Sequence, residues 1–230
     1  MKTKIYFLSL LFLSSCFLMQ GEVANQSKGV KQTTQGVNDP KANAILQASK
    51  QWLTGLKSVK ATFSYTLENK AQKIRQNKTG NILVSGNKFT LNFMGLNVFC
   101  NGQTLWSYNP STKEVSISEY SDSEAGSMNP LSIVQQYEKN YRAKFIRDES
   151  IAGMDRAVID LIPLKASSFH KMRMYITKTN KQIYKTAIYD KNGSIYTYTI
   201  NKYILNPSVN ANNFTFDTSK YPGVEINDMR

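Results

Sequence analysis

Residues able to perform catalysis or bind a metal are scarce in this 230-residue chain. His170 is its only histidine, and Cys16 and Cys100 are its only cysteines. A zinc site needs three or four such side chains together, and the sequence contains no G-x-S-x-G motif and no phosphate-binding loop. We therefore expect no catalytic residue, no metal and no cofactor. Cys100 is interpreted as a small buried side chain of a strand, so the sequence favours a binding protein over an enzyme.

Large apolar side chains occupy every second position through the middle of the chain, a spacing that places them on one face of a β-sheet. The dipeptide Asn101-Gly102 predicts a type I′ hairpin between two of these runs. A curved sheet with one strongly aromatic face is expected, formed by Phe89, Leu91, Phe93, Leu96, Val98, Cys100, Trp106 and Tyr108. Such a face either fills a solid core or lines an apolar cavity, and the sequence leaves both alternatives open.

The first twenty-one residues have the pattern of an export signal. Two lysines precede an apolar run from Ile5 to Leu13, which is too short for a membrane span. Two processing routes are open. Leu13-Ser14-Ser15-Cys16 fits a lipobox, in which Cys16 becomes the acylated first residue of a membrane-anchored protein facing the periplasm. Cleavage near Gly21 instead releases a soluble periplasmic protein, and we expect this route because the apolar run continues past Cys16.

A polar segment separates the signal from the folded domain. Residues 22–39 hold few large apolar side chains, so we expect a disordered tether. Pro40, with Asn38 or Asp39 as cap, predicts the start of an amphipathic helix whose apolar residues recur at helical spacing up to Leu56. The chain is therefore divided into a signal peptide (1–21), a tether (22–39) and one domain (40–230).

The rest of the domain is expected to be mainly β with few helices. Alternation and turn residues predict about eleven antiparallel strands: Val59–Glu68, Thr79–Ser85, Lys88–Met94, Leu96–Asn101, Gln103–Asn109, Glu114–Glu119, Ala143–Asp148, Ala157–Ile162, Lys171–Lys178, Gln182–Asp190 and Ser194–Leu205. One helix, Leu131–Tyr141, interrupts the series, with Leu131, Val134 and Tyr137 on one face. This helix either plugs the mouth of a barrel or closes a sheet edge.

The formal net charge is +13, and the basic residues are scattered along the chain. A basic exported protein can meet nucleic acid, anionic lipid headgroups or acidic surfaces. Because the lysines do not form a run, we interpret them mainly as solvated strand residues. We expect a monomer with no nucleic-acid partner.

Two segments resemble the periplasmic outer-membrane lipoprotein carrier (LolA-like) family. The first is a Gly-x-Thr-Leu-Trp-x-Tyr-x-Pro pattern made by Gly102, Thr104, Leu105, Trp106, Tyr108 and Pro110. The second is the closing pattern, made by Asn213-Phe214-Thr215-Phe216 and Pro222-Gly223-Val224-Glu225-Ile226-Asn227-Asp228. The resemblance covers about Pro40 to Arg230. It implies an incomplete, half-open antiparallel β-barrel covered by helices, with an apolar cavity between them.

The resemblance also implies a function. Such a carrier binds the acyl chains of lipoproteins and shuttles them from the inner to the outer membrane. Its expected partners are acylated lipoproteins, an inner-membrane ABC-type lipoprotein-releasing complex and an outer-membrane acceptor. The residues expected to line the acyl cavity are Phe63, Phe89, Leu91, Phe93, Val98, Trp106, Tyr108, Leu131 and Val134.

The chain departs from the family at one place. Family members often carry an arginine-proline pair associated with closing the cavity, where this chain has Ser85, Gly86 and Asn87. We therefore expect no polar latch, and an inserted helix held mainly by Leu131, Val134 and Tyr137. Two other functions remain open for the same fold: an outer-membrane-tethered acceptor lipidated at Cys16, and a periplasmic sensor of lipid or lipoprotein.

Overall fold

The computed structural model describes residues 39–120 and 133–230. The predicted signal peptide with Cys16, nearly all of the predicted tether, and Leu131 lie outside these residues. The described chain forms two α-helices, two short 3-10 helices (Ala211–Phe214 and Thr218–Lys220) and twelve strands. The elements are α1 (Pro40–Thr54), β1 (Val59–Asn69), β2 (Ile74–Ser85), β3 (Lys88–Phe93), β4 (Leu96–Cys100), β5 (Thr104–Asn109), β6 (Glu114–Glu119), α2 (Ile133–Asn140), β7 (Tyr141–Ile151), β8 (Met154–Pro163), β9 (Phe169–Thr177), β10 (Ile183–Asp190), β11 (Ile195–Leu205) and β12 (Glu225–Asp228).

All twelve strands belong to one sheet, in the order β12-β6-β5-β4-β3-β2-β1-β11-β10-β9-β8-β7. Neighbours pair antiparallel except β12, which runs parallel to β6. The two edge strands, β12 and β7, do not pair with each other, so the sheet is a half-open barrel. The predicted fold class is confirmed, and the parallel strand β12 is an addition that the alternation of the sequence did not predict.

Helix α1 is fixed at its start by Asp39. The Asp39 carboxylate accepts hydrogen bonds from the backbone N–H groups of Lys41 (2.9 Å) and Ala42 (3.3 Å), which satisfies donors that a helix start leaves unpaired. It also accepts from the N–H of Phe145 on edge strand β7 (3.0 Å). Burial of Asp39 opposes ionisation, but these three backbone donors hold the pKa of its carboxyl below the usual range. The cap therefore joins α1 to the sheet edge.

The sheet wraps its apolar face around α1 and α2. Residues paired across antiparallel strands share a face, and the buried face runs continuously from Leu105 on β5 to Ala143 on β7. Helix α1 contributes Ala42, Leu46 and Leu53 to this core, which also contains Tyr137 of α2. We call this inner side of the sheet the concave face and the opposite side the convex face.

Ser49 is a polar exception within the core. It is fully buried on the inner side of α1, and its hydroxyl has no hydrogen-bond partner among the residues that the structure describes. An unsatisfied buried hydroxyl costs on the order of 1 kcal/mol or more, and alanine is the better helix former. We expect Ser49→Ala to raise the free energy of unfolding by about 1 kcal/mol in a urea titration.

The matched control for this prediction is Thr54→Ala, because the exposed Thr54 hydroxyl already donates to the carbonyl of Lys50 at 2.9 Å. We expect the control to leave stability unchanged or slightly lower. A loss of stability in Ser49→Ala would show that the hydroxyl has a partner in solution.

Candidate functional site

A cavity of about 310 Å³ lies where the end of α1, the start of β1, the β2–β3 turn and α2 meet. Its apolar wall is formed by Leu53, Leu56, Val59, Val84, Phe89 and Tyr120. Polar groups come from Ser58, Asn87, Lys88, Gln135 and Gln136. An apolar wall with a few polar side chains is the usual composition of a small-molecule site.

Two glycines shape one side of this cavity. Gly86 has a φ of 60° in the turn between Ser85 and Lys88, a conformation that residues with a side chain rarely adopt. Gly102, with a φ of 93°, lies against Asn87, and a Cβ added there would fall 2.6 Å from the Asn87 side chain. Gly102 therefore lets the β4–β5 turn support the cavity-lining β2–β3 turn.

The β4–β5 turn itself differs from the prediction. A type I′ turn requires positive φ at both central residues, and of the predicted pair only Gly102 has one. Instead, the Asn101 side chain accepts hydrogen bonds from the N–H groups of Gln103 (2.9 Å) and Thr104 (2.8 Å). The asparagine thus closes a longer turn through its side chain.

Three polar contacts join α2 to α1. We call this set the latch: Tyr137 donates to Asn43, Gln47 donates to Glu138, and Lys50 lies 2.8 Å from Glu138. The α1 residues are spaced at i, i+4 and i+7, so they share one side of that helix. The expectation that the inserted helix lacks a polar latch is therefore wrong. Apolar contacts of Ile133, Val134 and Tyr137 supplement the latch.

The electrostatics of the latch favour its closed form near neutral pH. The hydrogen bond from Lys50 lowers the pKa of Glu138, against an opposing effect of burial. Burial, with the nearby charge of Glu138, raises the pKa of Tyr137 to about 12, so its hydroxyl stays protonated and can donate to Asn43. Because the pKa of Glu138 is lowered on folding, its contribution is present above the unfolded pKa and is lost as pH falls through the folded value.

Removing the charge of Glu138 should loosen α2. In Glu138→Gln, we expect the amide hydrogens of Ile133–Asn140 to exchange about threefold faster at neutral pH, since exposed ion pairs are weak. The readout is hydrogen exchange with mass spectrometry. Glu225→Gln, on exposed strand β12, is the matched control and should leave these amides unchanged. Equal exchange in Glu138→Gln and the unchanged protein would mean that the charge of Glu138 does not help to hold the helix.

The structure divides the nine residues predicted to line an acyl cavity. Six lie in the concave core or pack against it: Phe63, Phe89, Leu91, Phe93, Val98 and Val134. Of these six, Phe89 borders the 310 Å³ cavity. Leu131 lies outside the described residues. Sequence reasoning missed Leu53, Leu56, Val59 and Val84 as cavity residues because their spacing is that of ordinary core positions.

Trp106 and Tyr108 lie on the convex face, which corrects the prediction of a single aromatic face. Leu105 is paired with Cys100 and faces the concave core, so its neighbour Trp106 points the other way and is paired with Phe99. Tyr108 packs in a second cluster beside Phe216 (ring centroids 5.2 Å apart). Cys100, on the concave side, is buried as predicted, and burial raises the pKa of its thiol.

Comparison with known proteins assigns the family. The model of a family described as outer membrane lipoprotein carrier protein LolA matches residues 54–217, most of the chain. The chain belongs to the LolA family. The comparison with curated protein sequences found no match.

Several solved structures are similar to this chain over most of its length. An uncharacterised conserved protein from Thermus thermophilus superposes with a TM-score of 0.54 at 11% identity, covering 82% of this chain and 99% of that one. A LolA superfamily protein from Nitrosomonas europaea superposes with a TM-score of 0.44 at 16% identity, and the match covers 76% of this chain and 97% of that one. The lipoprotein LppX from Mycobacterium tuberculosis superposes with a TM-score of 0.45 at 17% identity, and the match covers 76% of this chain and 100% of LppX.

The two segments that resemble the LolA family pack against each other on the convex face. Tyr108, from the first segment, contacts Phe216 and also Tyr221, whose ring centroid lies 4.6 Å away. Phe216 and Tyr221 stack on each other at 4.4 Å. The closing segment then adds β12 beside β6. These LolA-like residues therefore build the outer wall of the sheet.

Two negative findings apply to the described residues of this LolA family member. No group of three or more histidine, cysteine, aspartate or glutamate residues there is placed to hold a metal ion. No described helix is both long and apolar enough to cross a membrane.

Proposed function

We propose that this protein is a periplasmic carrier that binds the acyl chains of lipoproteins and shuttles them from the inner to the outer membrane. The observation that carries the proposal is the apolar-walled cavity between α1, α2 and the concave face of a LolA-family sheet. In this proposal the protein receives cargo from an inner-membrane ABC-type complex, passes it to an outer-membrane acceptor, and acts as a monomer without nucleic acid.

Acyl chains require such a carrier because each methylene withheld from water contributes about 0.8 kcal/mol. Apolar walls bind acyl chains without directional hydrogen bonds. An acceptor can therefore remove the cargo without breaking specific polar contacts. Lys88, Gln135 and Gln136 also line the cavity and offer charged and amide groups to the glycerol or amide of a lipid.

We propose that loading of a complete lipid anchor moves a helix. A volume of about 310 Å³ is at the lower end for small-ligand sites, whereas a lipoprotein carries up to three acyl chains. The neighbouring interior is filled, since Phe63 is 1% exposed and Tyr137 is fully buried. In this proposal a complete anchor is admitted when α2 separates from α1, which breaks the latch.

Complex formation with a lipopeptide tests the proposal. Mixed with a triacylated lipopeptide, the purified protein should elute in gel filtration as a soluble one-to-one complex. The same peptide without acyl groups is the control and should elute separately. If the acylated peptide aggregates equally with and without the protein, the carrier function is wrong.

A membrane-anchored acceptor is the second proposal, favoured by the Leu13-Ser14-Ser15-Cys16 segment. Mass spectrometry of the protein purified from its own membrane or periplasmic fraction distinguishes the two. A carrier should begin near Glu22 without acyl groups. Detection of an acylated Cys16 at the N-terminus would contradict the shuttle and support the anchored acceptor.

A further inference from the structure

The convex face of strands β7–β10 carries a concentration of positive charge that the acyl site does not use. Strand pairing places Lys144, Asp160 and Arg173 in one row across β7, β8 and β9. The next row contains Arg147, Val158, Tyr175 and Lys185. We call the following six cations the basic face: Arg142, Lys144, Arg147, Lys171, Arg173 and Lys185.

Two carboxylates on the same face balance only part of this charge. The buried Asp160 is shared between Lys171, at 2.9 Å, and Arg173, at 2.6 Å. Glu149 pairs with Arg147. Six cations against two carboxylates leave a clear positive excess.

Aromatic rings hold several of these cations in place. The Lys185 ammonium lies 3.9 Å from the centre of the Tyr175 ring. Lys171 and Arg173 lie 5.1 and 5.9 Å from the centre of the Tyr189 ring. Contacts of this kind stabilise cations without neutralising them. Burial lowers the pKa of Lys185. The nearby positive charges of Arg156 and Arg147 lower it further, whereas the negative charge of Glu149 opposes the shift.

The accessible part of the basic face lies on edge strand β7. Arg142, Lys144 and Arg147 are all exposed. The exposed large apolar residues nearest to this face, Met154 and Leu164, lie at or just beyond the two ends of β8. A specific protein interface usually has an accessible apolar or aromatic centre. On this face Tyr175 is buried, and the half-buried Tyr189 lies beside Lys171 and Arg173. Spread, accessible cations suit a plane of anionic headgroups better.

We propose that the basic face docks this protein on the surface of a membrane that contains anionic phospholipids. Its location on the convex side leaves the concave face and its cavity free. The proposal rests on charge and strand pairing, and it does not require that the cavity binds acyl chains.

Vesicle binding tests the basic face directly. The full chain, exported with Cys16→Ala so that no acyl group can anchor it, is titrated with vesicles of equal parts phosphatidylglycerol and phosphatidylcholine. Binding should weaken with added salt, because exposed charges are screened. Combining Arg142→Gln, Lys144→Gln and Arg147→Gln should weaken it about a hundredfold, since each surface cation contributes strongly near an anionic bilayer.

The matched control removes the same charge elsewhere: Lys70→Gln, Arg75→Gln and Lys78→Gln, all exposed on or beside the β1–β2 hairpin. It should weaken binding less than about threefold. An equal loss in both triple variants would reduce the effect to net charge and overturn the proposal. Equally tight binding to vesicles of pure phosphatidylcholine would also overturn it. So would binding of polyglutamate by the basic face without binding to vesicles, because the partner of the basic face would then be an acidic protein.

Discussion

Placing a carboxylate at Leu56 is expected to abolish useful acyl binding. Leu56 lines the cavity and is half-buried, so Leu56→Asp puts a charge in the apolar wall while leaving the centre of the core intact. Losing the leucine contact and desolvating a carboxylate should together weaken binding about a hundredfold, which corresponds to roughly 3 kcal/mol. The measurement is an equilibrium titration with a fluorescent fatty acid.

The control is Ile188→Asp, on β10. Ile188 is also half-buried and packs against the concave core, but it does not line the cavity. Both variants should fold, as judged by circular dichroism, and Ile188→Asp should retain its affinity within a few-fold. Equal loss of binding in the two variants, or none in Leu56→Asp, would show that the acyl chain binds elsewhere.

A second large effect is expected at Gly80. It is paired with Phe63, and a Cβ at position 80 would fall 2.5 Å from the edge of the Phe63 ring and 2.9 Å from the carbonyl oxygen of Asn92. The ring is itself packed against Phe93, with centroids 5.4 Å apart, and Tyr198, at 6.0 Å. We expect Gly80→Ala to lower the free energy of unfolding by about 2 to 3 kcal/mol.

A double-mutant cycle shows whether this effect comes from the ring. Phe63→Leu shortens the side chain above Gly80, so the combination with Gly80→Ala should cost at least about 1 kcal/mol less than the sum of the single changes. Urea unfolding gives all three values. Strict additivity would mean that the added methyl group acts on the backbone around Asn92.

Alternation predicted most of the sheet because one face of each strand meets the core. Alternation did not predict the first half of β2, because residues 74–78 are almost entirely exposed and have no alternating apolar side chains. It also ended the inserted helix too late. Tyr141 starts β7 directly after Asn140, and helical spacing alone cannot reveal that change.

The site was predicted less well than the fold, for two physical reasons. Alternation distinguishes two faces without saying which one meets the core, and Trp106 and Tyr108 are covered by the distant Phe216 segment on the convex side. The latch joins α1 to Glu138, some ninety positions away, through side chains that look like ordinary solvated residues. The resemblance of the family segments did predict the half-open fold, and the strand order confirms it.

Photo-crosslinking tests the central claim most directly. A fatty acid with a diazirine near its methyl end is bound to the purified protein, irradiated and mapped by mass spectrometry after proteolysis. The proposed site predicts adducts on the peptides that carry Leu53, Leu56 and Val59, and on those that carry Val84 and Phe89, all lost when an excess of unlabelled fatty acid competes. Adducts that resist competition, or that fall on the convex cluster around Tyr108 and Phe216, would contradict an acyl site between the helices and the concave face.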